Sequence, residues 1–364
     1  MKITLWGYYG SNYGDDIMLK VILDYLEKES IDVILIDLYN GKLDYQIGSR
    51  YKNVEVINFS LLTKKEKIQT LKKLAKTKIN IWGGGTIFTD VDGDGNFKFF
   101  SLIKMHGGKI GYVGVGIGAL TVRNRLLKTK MLLSLSSLTI FRDQKSLQRA
   151  KELKHNEYYK VEDLSYIFFN DYKLKHNSEE KKRDFILVTW RNLSGYVSFE
   201  DEMKLMDHLV ENIERLIKEF PFKRVILSAL DANFDVESCR YLFEKLSAKQ
   251  INVYFDIDSS IENITALINS AGFHFSGRLH GSVASEILNT PTLSLSYSPK
   301  MQYFYESINS TNYIDIYKEK IDFSNILSII KNHNGSNDLD IADKVNDAKK
   351  NFNYLSGFLN KQEG

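Results

Sequence analysis

Apolar residues recur along this chain with two different periods. Short runs of β-branched or aromatic residues alternate with longer stretches whose apolar residues recur at helical spacing. The short runs predict buried strands, the longer stretches predict amphipathic helices, and their alternation predicts a mainly parallel sheet. In the first half, the predicted strands are Ile3 to Trp6, Val33 to Leu38, Ile79 to Trp82, Ile110 to Val115 and Leu138 to Phe141.

The alternation restarts after a polar, Lys- and Glu-rich break at Asp171 to Arg183. A second α/β domain is therefore expected, with the linker near residues 171–184. We place the first domain at residues 1–172 and the second at residues 173–335. The strands predicted for the second domain are Phe185 to Thr189, Val225 to Leu227, Val253 to Phe255, Phe273 to Ser276 and Thr292 to Ser296.

A last segment, residues 336–364, follows a second polar break at Asn334 to Asp338. Its apolar residues are spaced alternately by four and three positions, which places them in one helical stripe that must pack on another surface. We expect this C-terminal helix to cross back to the first domain, and a partner-binding helix is the alternative. The stripe consists of Ile341, Val345, Ala348, Phe352, Leu355 and Leu359.

Composition is that of an ordinary folded protein of 364 residues with a net charge of +3. This small excess gives no reason to expect nucleic-acid binding. The single cysteine, Cys239, excludes an intrachain disulfide and Cys-rich metal sites, and the seven histidines form no metal-binding pair motif. We expect no metal and no cofactor. The start of the chain lacks the pattern of a signal peptide, and no run of residues is long and apolar enough for a membrane span, so a cytoplasmic protein is expected.

The segment Gly277 to Ser282 carries the clearest chemical signal. A predicted strand ends there in a glycine-flanked turn with Arg278 and His280 two residues apart. A cation and a proton donor at the carboxyl end of a strand favour a site for an anionic substrate. Taken alone, the same turn is also compatible with a solvated arginine and a histidine that caps the next helix.

Glycine-rich turns follow two strands of the first domain. Gly7 to Asp16 leads from the first strand into a helix, and Gly83-Gly84-Gly85 follows the strand ending at Trp82. Such turns present backbone N–H groups at the edge where open α/β sheets bind ligands. The spacing is not that of a dinucleotide or P-loop fingerprint. Asn12, Asp15 and Asp16 are also typical helix caps.

Further charged residues follow strands of the second domain. Arg191 comes after Phe185 to Thr189, and together with Arg278, His280 and Lys300 it would form a pocket for a dianion or trianion. By contrast, Arg142 and Asp143 are interpreted as a turn and N-cap pair, and His274 is interpreted as a packing residue of a strand.

Several short motifs occur in order from residue 5 to residue 300. They are Gly7-Tyr8-Tyr9-Gly10 with Asn12 and Gly14-Asp15, Gly83-Gly84-Gly85, Arg142-Asp143 with Ser146, Asp163, Arg191, and Arg278, His280 and Gly281 continuing to Pro291, Tyr297 and Lys300. This ordered set resembles the polysaccharide pyruvyltransferase family across both predicted domains. Asp16 replaces a more usual glutamate, and Leu164 stands where the family commonly has proline.

The resemblance implies two Rossmann-like domains facing a cleft, similar to GT-B glycosyltransferases, and transfer of pyruvate from phosphoenolpyruvate onto a sugar as a cyclic ketal. The second domain would hold phosphoenolpyruvate and the first the acceptor. Arg191, Arg278, His280 and Lys300 would bind the donor, because guanidinium groups bind carboxylate and phosphate at two points. His280 is suited to protonate the methylene carbon and Asp15 to accept a hydroxyl proton. The cleft would be lined by Gly10, Asn12, Gly83, Gly84, Gly85 and Tyr297.

The resemblance also implies a saccharide acceptor, often lipid-linked, and hence work at the inner face of a bacterial membrane during capsule or exopolysaccharide assembly. Two basic stretches, Lys64 to Lys78 and Arg123 to Lys130, are compatible with contact to anionic lipid or with solvated helix faces. The competing functions are a GT-B glycosyltransferase that uses a nucleotide sugar and a catalytically silent carbohydrate-binding protein. The acceptor sugar, the ketal linkage and the oligomeric state cannot be predicted from the sequence.

Overall fold

In the computed structural model, the chain forms two compact units, each built on a parallel sheet. Unit 1 comprises Met1–Gly10, Asp15–Phe168 and Ala342–Gly364, and unit 2 comprises Ser11–Gly14 and Phe169–Ile341. The structure describes residues 1–39, 43, 47, 49–77, 79–91, 93–153, 158–176, 181–332 and 338–361. The predicted boundary between residues 335 and 336 lies outside the described residues.

Strands and helices alternate through unit 1, as the periodicity predicts. The strands are β1 (Lys2–Trp6), β2 (Asp32–Asp37), β3 (Val54–Asn58), β4 (Ile79–Gly83), β5 (Thr86–Phe88), β6 (Lys109–Ile117), β7 (Leu138–Phe141) and β8 (Tyr159–Lys160). The helices are α1 (Tyr13–Lys28), a 3₁₀ turn (Phe59–Leu61), α2 (Lys64–Lys76), α3 (Phe97–Met105), α4 (Arg123–Leu135) and α5 (Gln144–Glu152), and they are followed by α6 (Ser165–His176), which belongs to unit 2 from Phe169 onward.

The sheet of unit 1 has the order β3-β2-β1-β4-β6-β7-β8, with β5 paired to β6. All of these pairs are parallel. The order reverses between β1 and β4, and the glycine-rich turns predicted from the sequence follow these two strands. In open α/β sheets such a reversal is the point at which ligands bind.

The C-terminal helix, α13 (Asp338–Asn360), contributes its residues from Ala342 onward to unit 1. Phe352 stacks on Tyr25 of α1 with ring centroids 4.2 Å apart, and Asn351 donates a hydrogen bond to the carbonyl of Glu162 at 3.2 Å. Five of the six stripe residues are buried, and Phe352 is half-buried. The predicted return of this helix to the first domain is confirmed.

Unit 2 repeats the alternation with six strands. They are β9 (Phe185–Thr189), β10 (Arg224–Ser228), β11 (Val253–Asp256), β12 (Phe273–Ser276), β13 (Thr292–Ser296) and β14 (Tyr313–Asp315). The helices are α7 (Phe199–Glu219), α8 (Val236–Ala248), α9 (Ile261–Ser270), α10 (Leu279–Leu288), α11 (Pro299–Ser307) and α12 (Phe323–Asn332).

The sheet of unit 2 has the order β11-β10-β9-β12-β13-β14, and every pair is parallel. Counted within the unit, this is the strand order 3-2-1-4-5-6 of a dinucleotide-binding Rossmann fold. The prediction of two Rossmann-like α/β domains is therefore confirmed. The reversal of strand order falls between β9 and β12, so the carboxyl ends of these two strands are where a ligand site is expected.

None of the helices in the described part of the chain is both long enough and apolar enough to cross a membrane.

Candidate functional site

Three of the four residues predicted to bind an anion follow the carboxyl ends of β9 and β12, and the fourth, Lys300, follows the neighbouring strand β13. Thr189 at the end of β9 is paired in register with Ser276 at the end of β12. Arg191 follows the first strand, and Arg278 follows the second as the N-cap of α10. The two arginines therefore leave neighbouring strands at the same edge of the sheet, at the reversal of strand order.

Gly277 allows the two strand ends to approach each other closely. Its N–H donates to the carbonyl of Thr189 at 2.7 Å. A Cβ atom at position 277 would lie 2.6 Å from the backbone nitrogen of Arg191 and 2.7 Å from the Thr189 carbonyl oxygen. Because both neighbours are backbone atoms of a central strand, neither can move aside cheaply, and only glycine fits at this position.

The Arg278 guanidinium is held by two aspartates of the connection from β10 to α8, and Asp235 is the N-cap of that helix. Nε and Nη2 donate to the two carboxylate oxygens of Asp235 at 2.5 and 2.7 Å, and Nη2 lies 3.3 Å from Asp231. Arg278 and both carboxylates are buried. Burial by itself would lower the pKa of Arg278, but the charges of Asp235 and Asp231 outweigh this and raise it above the ordinary arginine value, so this arginine stays protonated.

A short segment from the amino-terminal region completes this cluster. Within unit 2, the N–H of Tyr13 donates to the carbonyl of Leu230, and the N–H of Ala232 donates to the carbonyl of Ser11, both at 2.8 Å. Asn12 lies between these bonds and donates from Nδ2 to Asp231 at 3.1 Å. Asn12 thus acts on the Arg278 cluster through Asp231, and its side-chain oxygen also accepts the N–H of Gly14 at 3.1 Å.

Arg191 contacts tyrosines instead of carboxylates. Its Nη1 donates to the hydroxyl of Tyr297 at 3.1 Å, and its guanidinium carbon lies 4.3 Å from the centre of that ring. Nη2 donates to the hydroxyl of Tyr196 at 3.3 Å. Among the described residues, the buried Nε of Arg191 has no hydrogen-bond partner. This N–H is therefore a donor that an anionic oxygen could accept.

Tyr297 is surrounded by three cations. Lys300 lies with its ammonium nitrogen 5.3 Å from the ring centre and hydrogen-bonds to the phenol. Burial by itself would raise the pKa of Tyr297, but the charges of Lys300, Arg191 and Arg278 together lower it below the ordinary tyrosine value. The phenol therefore lies in a region of positive electrostatic potential, as expected at a site for anions.

Two partly exposed tyrosines flank this group. Tyr196 packs edge-on against Tyr297 with ring centroids 5.5 Å apart, and the Arg191 guanidinium carbon lies 5.3 Å from the Tyr196 ring. The pKa of Tyr317 is raised, first by burial and then by its neighbours Tyr196 and Tyr297. Arg191 is thus held by aromatic rings, which fix its orientation without neutralising its charge.

His280 is the second residue of α10 and is half-buried. Its imidazole lies against the backbone of Gly14, where a Cβ atom would be only 1.7 Å from Nδ1. Gly14 belongs to the same unit, so the amino-terminal segment Ser11–Gly14 reaches both the Arg278 cluster and the histidine. Any side chain at position 14 would push the His280 ring away.

His274 is fully buried and links the two strands that carry the site. Its Nδ1 lies 2.7 Å from Ser285 Oγ in α10, and its Nε2 lies 2.8 Å from Thr189 Oγ1 in β9. Ser285 donates its own proton to the carbonyl of Gly281 at 2.9 Å, so His274 donates from Nδ1 and accepts at Nε2. Burial lowers its pKa to about 3, which keeps the ring neutral. The interpretation of His274 as a packing residue is confirmed.

The remaining predicted site residues lie in unit 1. The Tyr9 hydroxyl donates to the carbonyl of Gly83 at 2.6 Å, and a Cβ atom on Gly85 would lie 3.2 Å from the Asp15 carboxylate. The N–H of Gly10 donates to Asp16 at 2.5 Å. Gly84 and Gly85 have φ angles of +72° and +81°. Asp15, Gly10 and the triple glycine therefore form one group, in a different unit from His280.

The Arg142-Asp143 motif serves the structure of unit 1. Asp143 is the N-cap of α5 and accepts the N–H of Ser146 at 2.6 Å, as predicted. Arg142 is buried and donates to Asp163 at 2.9 Å and to Thr86 at 2.6 Å. Arg142 thus connects the end of β7 to the start of β5 and to the segment that follows β8.

Sequence reasoning missed the two aspartates that hold Arg278, and also Tyr196. Asp231 and Asp235 follow the strand β10 closely, and carboxylates four residues apart at a strand end were the available signal. Because β10 is the neighbour of β9, its end faces the same edge of the sheet as Arg191. Nothing local in the sequence says that these carboxylates pair with Arg278.

The fold is GT-B-like, with two Rossmann-like α/β domains. The sequence model of the polysaccharide pyruvyl transferase family matches residues 12–299, which is more than half of the chain. The chain belongs to this family and is therefore an enzyme of the transferase class. The match confirms the resemblance seen in the motifs. No curated protein matches the sequence at a significant level.

Solved structures similar to this chain share its fold at low sequence identity. The UDP-GlcNAc 2-epimerase of Methanocaldococcus jannaschii has a TM-score of 0.64 and 14% identity, covering 98% of this chain and 99% of that one. The Neisseria meningitidis UDP-GlcNAc 2-epimerase, bound to UDP-GlcNAc, has a TM-score of 0.66 and 12% identity, covering 98% and 100%. Anabaena Alr3699/HepE in complex with UDP-glucose has a TM-score of 0.58 and 11% identity, covering 100% and 99%.

The buried ion pair leads to a prediction about stability. In Asp235→Asn, Arg278 keeps its charge but loses its bidentate partner, so we expect the free energy of unfolding to fall by about 3–5 kcal/mol. Urea unfolding measures this loss. The matched control is Asp201→Asn, which removes the exposed pair with Lys204 and the contact with the N-cap Ser198, and should lower stability by no more than about 1 kcal/mol. Equal effects of the two substitutions would contradict a stabilising role of the Asp235–Arg278 pair.

The neutral His274 leads to a prediction about pH. The pKa of His274 is lower in the folded than in the unfolded chain. Its contribution to the free energy of unfolding is therefore complete at pH values above the pKa of the unfolded chain, and it is lost as pH falls. In His274→Gln the hydrogen bonds persist without the titration. We expect the stability difference between wild type and this variant to shrink by up to ~1.4 kcal/mol per pH unit below about pH 6.5. Urea unfolding across this range tests it, and a difference independent of pH would contradict a neutral, buried His274.

Proposed function

We propose that this protein transfers pyruvate from phosphoenolpyruvate to a sugar of a lipid-linked saccharide. The product is a cyclic pyruvate ketal made during the biosynthesis of a cell-surface polysaccharide, such as a capsule, at the cytoplasmic side of a bacterial membrane. The observation that carries this proposal is the group of cations around Tyr297 at the reversal of strand order in unit 2. Membership of the polysaccharide pyruvyl transferase family supports the reaction class.

The donor matches the chemistry of this group. Phosphoenolpyruvate carries a carboxylate and a phosphate on one carbon, so it needs at least two cationic partners close together. Arg191 and Lys300 supply them, and among the described residues both contact tyrosines instead of carboxylates. The unpartnered Nε of Arg191 adds a donor that one anionic oxygen would satisfy.

Arg278 is assigned mainly a positioning role in this proposal. Two carboxylates already use its Nε and Nη2, and Nη1 is the nitrogen that those contacts do not involve. Direct binding of the donor by Arg278, as predicted from the sequence, would therefore use Nη1. Its charge still contributes to the positive potential at Tyr297.

His280 is the proposed general acid. Ketal formation begins when the methylene carbon of phosphoenolpyruvate takes a proton, which gives an oxocarbenium-like centre at the neighbouring carbon. A sugar hydroxyl attacks this centre and loses its proton, and the bond between this carbon and the phosphate oxygen then breaks. A second hydroxyl closes the ring and passes its proton to the departing phosphate. Histidine suits the proton transfer near neutral pH. Asp15 is the proposed acceptor of a hydroxyl proton, and the scheme needs neither metal nor nucleotide.

The alternative function is glycosyl transfer from a nucleotide sugar. The solved structures with a similar fold include complexes with UDP-GlcNAc and UDP-glucose, and a cationic group of this kind would also suit a diphosphate. Thermal unfolding of the protein with phosphoenolpyruvate, and separately with UDP, distinguishes the two functions. Stabilisation by phosphoenolpyruvate supports pyruvyl transfer, and stabilisation by UDP alone supports glycosyl transfer.

Removal of Arg191 should weaken donor binding. In Arg191→Ala we expect KM for phosphoenolpyruvate to rise by ~10- to 100-fold, because a charge-assisted hydrogen bond contributes about 1.5–3 kcal/mol. Phosphate release at varied phosphoenolpyruvate concentration measures KM, and thermal shift gives an independent measure of binding. Arg240→Ala, at an exposed arginine of the same unit, is the control. An unchanged KM in Arg191→Ala would place the donor elsewhere.

Removal of His280 should slow turnover more than it weakens binding. A general acid contributes typically ~10²- to 10⁴-fold, so His280→Ala should lower kcat by that factor. Thermal stabilisation by phosphoenolpyruvate should persist, since Arg191 and Lys300 are intact. A kcat close to that of wild type would remove His280 from the proton transfer, even if the reaction itself is confirmed.

A further inference from the structure

Positive charge is concentrated in three helices of unit 1. Helices α2, α3 and α4 together carry twelve Lys or Arg residues and one acidic residue, Glu66, which gives them a net charge of +11. The whole chain has a net charge of +3, so everything outside these helices sums to −8. The small overall charge therefore hides a strong separation of charge within the molecule.

The three helices lie side by side. Helix α3 contacts both α2 and α4, and all three bury their inner faces in one core with the sheet of unit 1. The buried residues are Leu71, Leu74 and Ala75 of α2, Phe100 and Ile103 of α3, and Leu132 and Leu133 of α4. We call the opposite, solvent-exposed surface of these three helices, with the adjoining Leu61 and Val122, the basic face.

Most of the charge on the basic face is directed to solvent. The exposed cations are Lys64, Lys65, Lys72, Lys73, Lys76, Lys98, Arg123 and Lys130. Only part of the charge is neutralised nearby, where Asp94 pairs with Lys128 at 3.0 Å and lies 3.8 Å from Arg125. Helix α2 begins with a complete capping box between Thr63 and Glu66, so its one acidic side chain is occupied at the helix start.

Large aliphatic side chains are exposed among these cations. Met105 is 80% exposed, Leu61 69% and Leu127 54%, and Ile68, Val122 and Met131 are each about half exposed. A helix face that stays in water does not require large aliphatic side chains. Each of these side chains would gain free energy if an apolar surface covered it. Their presence between lysines is typical of helices that lie on a lipid surface.

We propose that the basic face docks this protein onto an anionic lipid bilayer. The lysines and arginines would meet the lipid headgroups, and Leu61, Met105, Leu127 and Met131 would enter the boundary with the acyl chains. The exposed apolar residues of this face are aliphatic, whereas sites for single-stranded nucleic acid stack bases on aromatic rings. The face thus fits a lipid surface better than a nucleic acid.

This inference stands on unit 1 alone and does not depend on the proposed reaction. It would place the enzyme on the surface where a lipid-linked acceptor is found. An assay of binding to plain vesicles, however, contains neither donor nor acceptor. Failure of vesicle binding would therefore leave the pyruvyl transfer untouched, and absence of activity would leave the docking untouched.

The charge part of the proposal is tested by charge reversal. The purified full-length protein is sedimented with vesicles of phosphatidylcholine alone, or of phosphatidylcholine mixed with phosphatidylglycerol, at low and at high salt. We expect binding only to the mixed vesicles, weakening as salt increases. Lys72→Glu with Lys73→Glu should lower the affinity by at least ~10-fold, since each basic residue near an anionic surface contributes a several-fold factor. The control is Lys320→Glu with Lys331→Glu, which makes the same charge change at exposed positions of unit 2.

The apolar part is tested by Leu127→Ser with Met131→Ser, which keeps every charge. We expect this variant to bind mixed vesicles ~10-fold more weakly than wild type, because serine gains no free energy of transfer where Leu127 and Met131 would enter the lipid boundary. Circular dichroism confirms that each variant is folded. The proposal is overturned if the wild-type protein does not bind mixed vesicles, or if the Lys72/Lys73 and Lys320/Lys331 charge variants bind equally well. It is also overturned if the serine variant binds like wild type. Binding to heparin without binding to mixed vesicles also overturns it.

Discussion

The arrangement of unit 2 depends on the buried ion pair between Arg278 and Asp235. Burying two charges costs several kcal/mol for each ion, and the loss is recovered only when the two groups meet in good geometry. The bidentate contact at 2.5 and 2.7 Å provides that geometry. It joins the N-terminus of α8, where Asp235 is the N-cap, to the end of β12, and Gly277 lets the end of β12 lie against the backbone that follows β9. The positions of Arg191 and His280 follow, since each is attached to a strand or helix end that this contact fixes.

Local patterns in the sequence predicted the parts of this site that depend on topology. Strand periodicity identifies where each strand ends, and parallel strands bring their carboxyl ends to one edge, so Arg191, Arg278, Tyr297 and Lys300 were expected to be neighbours. The confirmed strand order makes them so. The pairing of Arg278 with Asp235 was not predicted, because it depends on side-chain directions and burial across three strands. The transfer of Ser11–Gly14 to unit 2 was missed for a similar reason, since its hydrogen bonds to Leu230 and Ala232 join residues more than two hundred positions apart.

Two histidines six residues apart, His274 with a structural role and His280 with a proposed chemical one, differ in their burial. His274 has hydroxyl partners on both ring nitrogens and no contact with solvent, so burial lowers its pKa to about 3 and the ring cannot serve as a proton donor near neutral pH. His280 begins the helix that His274 anchors through Ser285, and it is only half-buried. The strand pattern around Phe273 and Phe275 was enough to predict the first role. The second role rests on the site, because a turn sequence alone fits a helix cap equally well.

Lysine and arginine occur in two different environments in this molecule, one partly buried and one exposed to solvent. In unit 2 a few cations are buried or held by aromatic rings, where the surroundings screen them little and where their geometry is fixed. In unit 1 many cations are exposed on adjacent helices. Each contributes little to binding free energy, and in physiological salt its potential decays over about 8–10 Å. The proposed anion recognition at Tyr297 should therefore tolerate salt much better than the proposed contact of the basic face with lipid. Because the whole chain is nearly neutral, neither environment is visible in its net charge, and each becomes apparent only when the fold assigns every cation to a place.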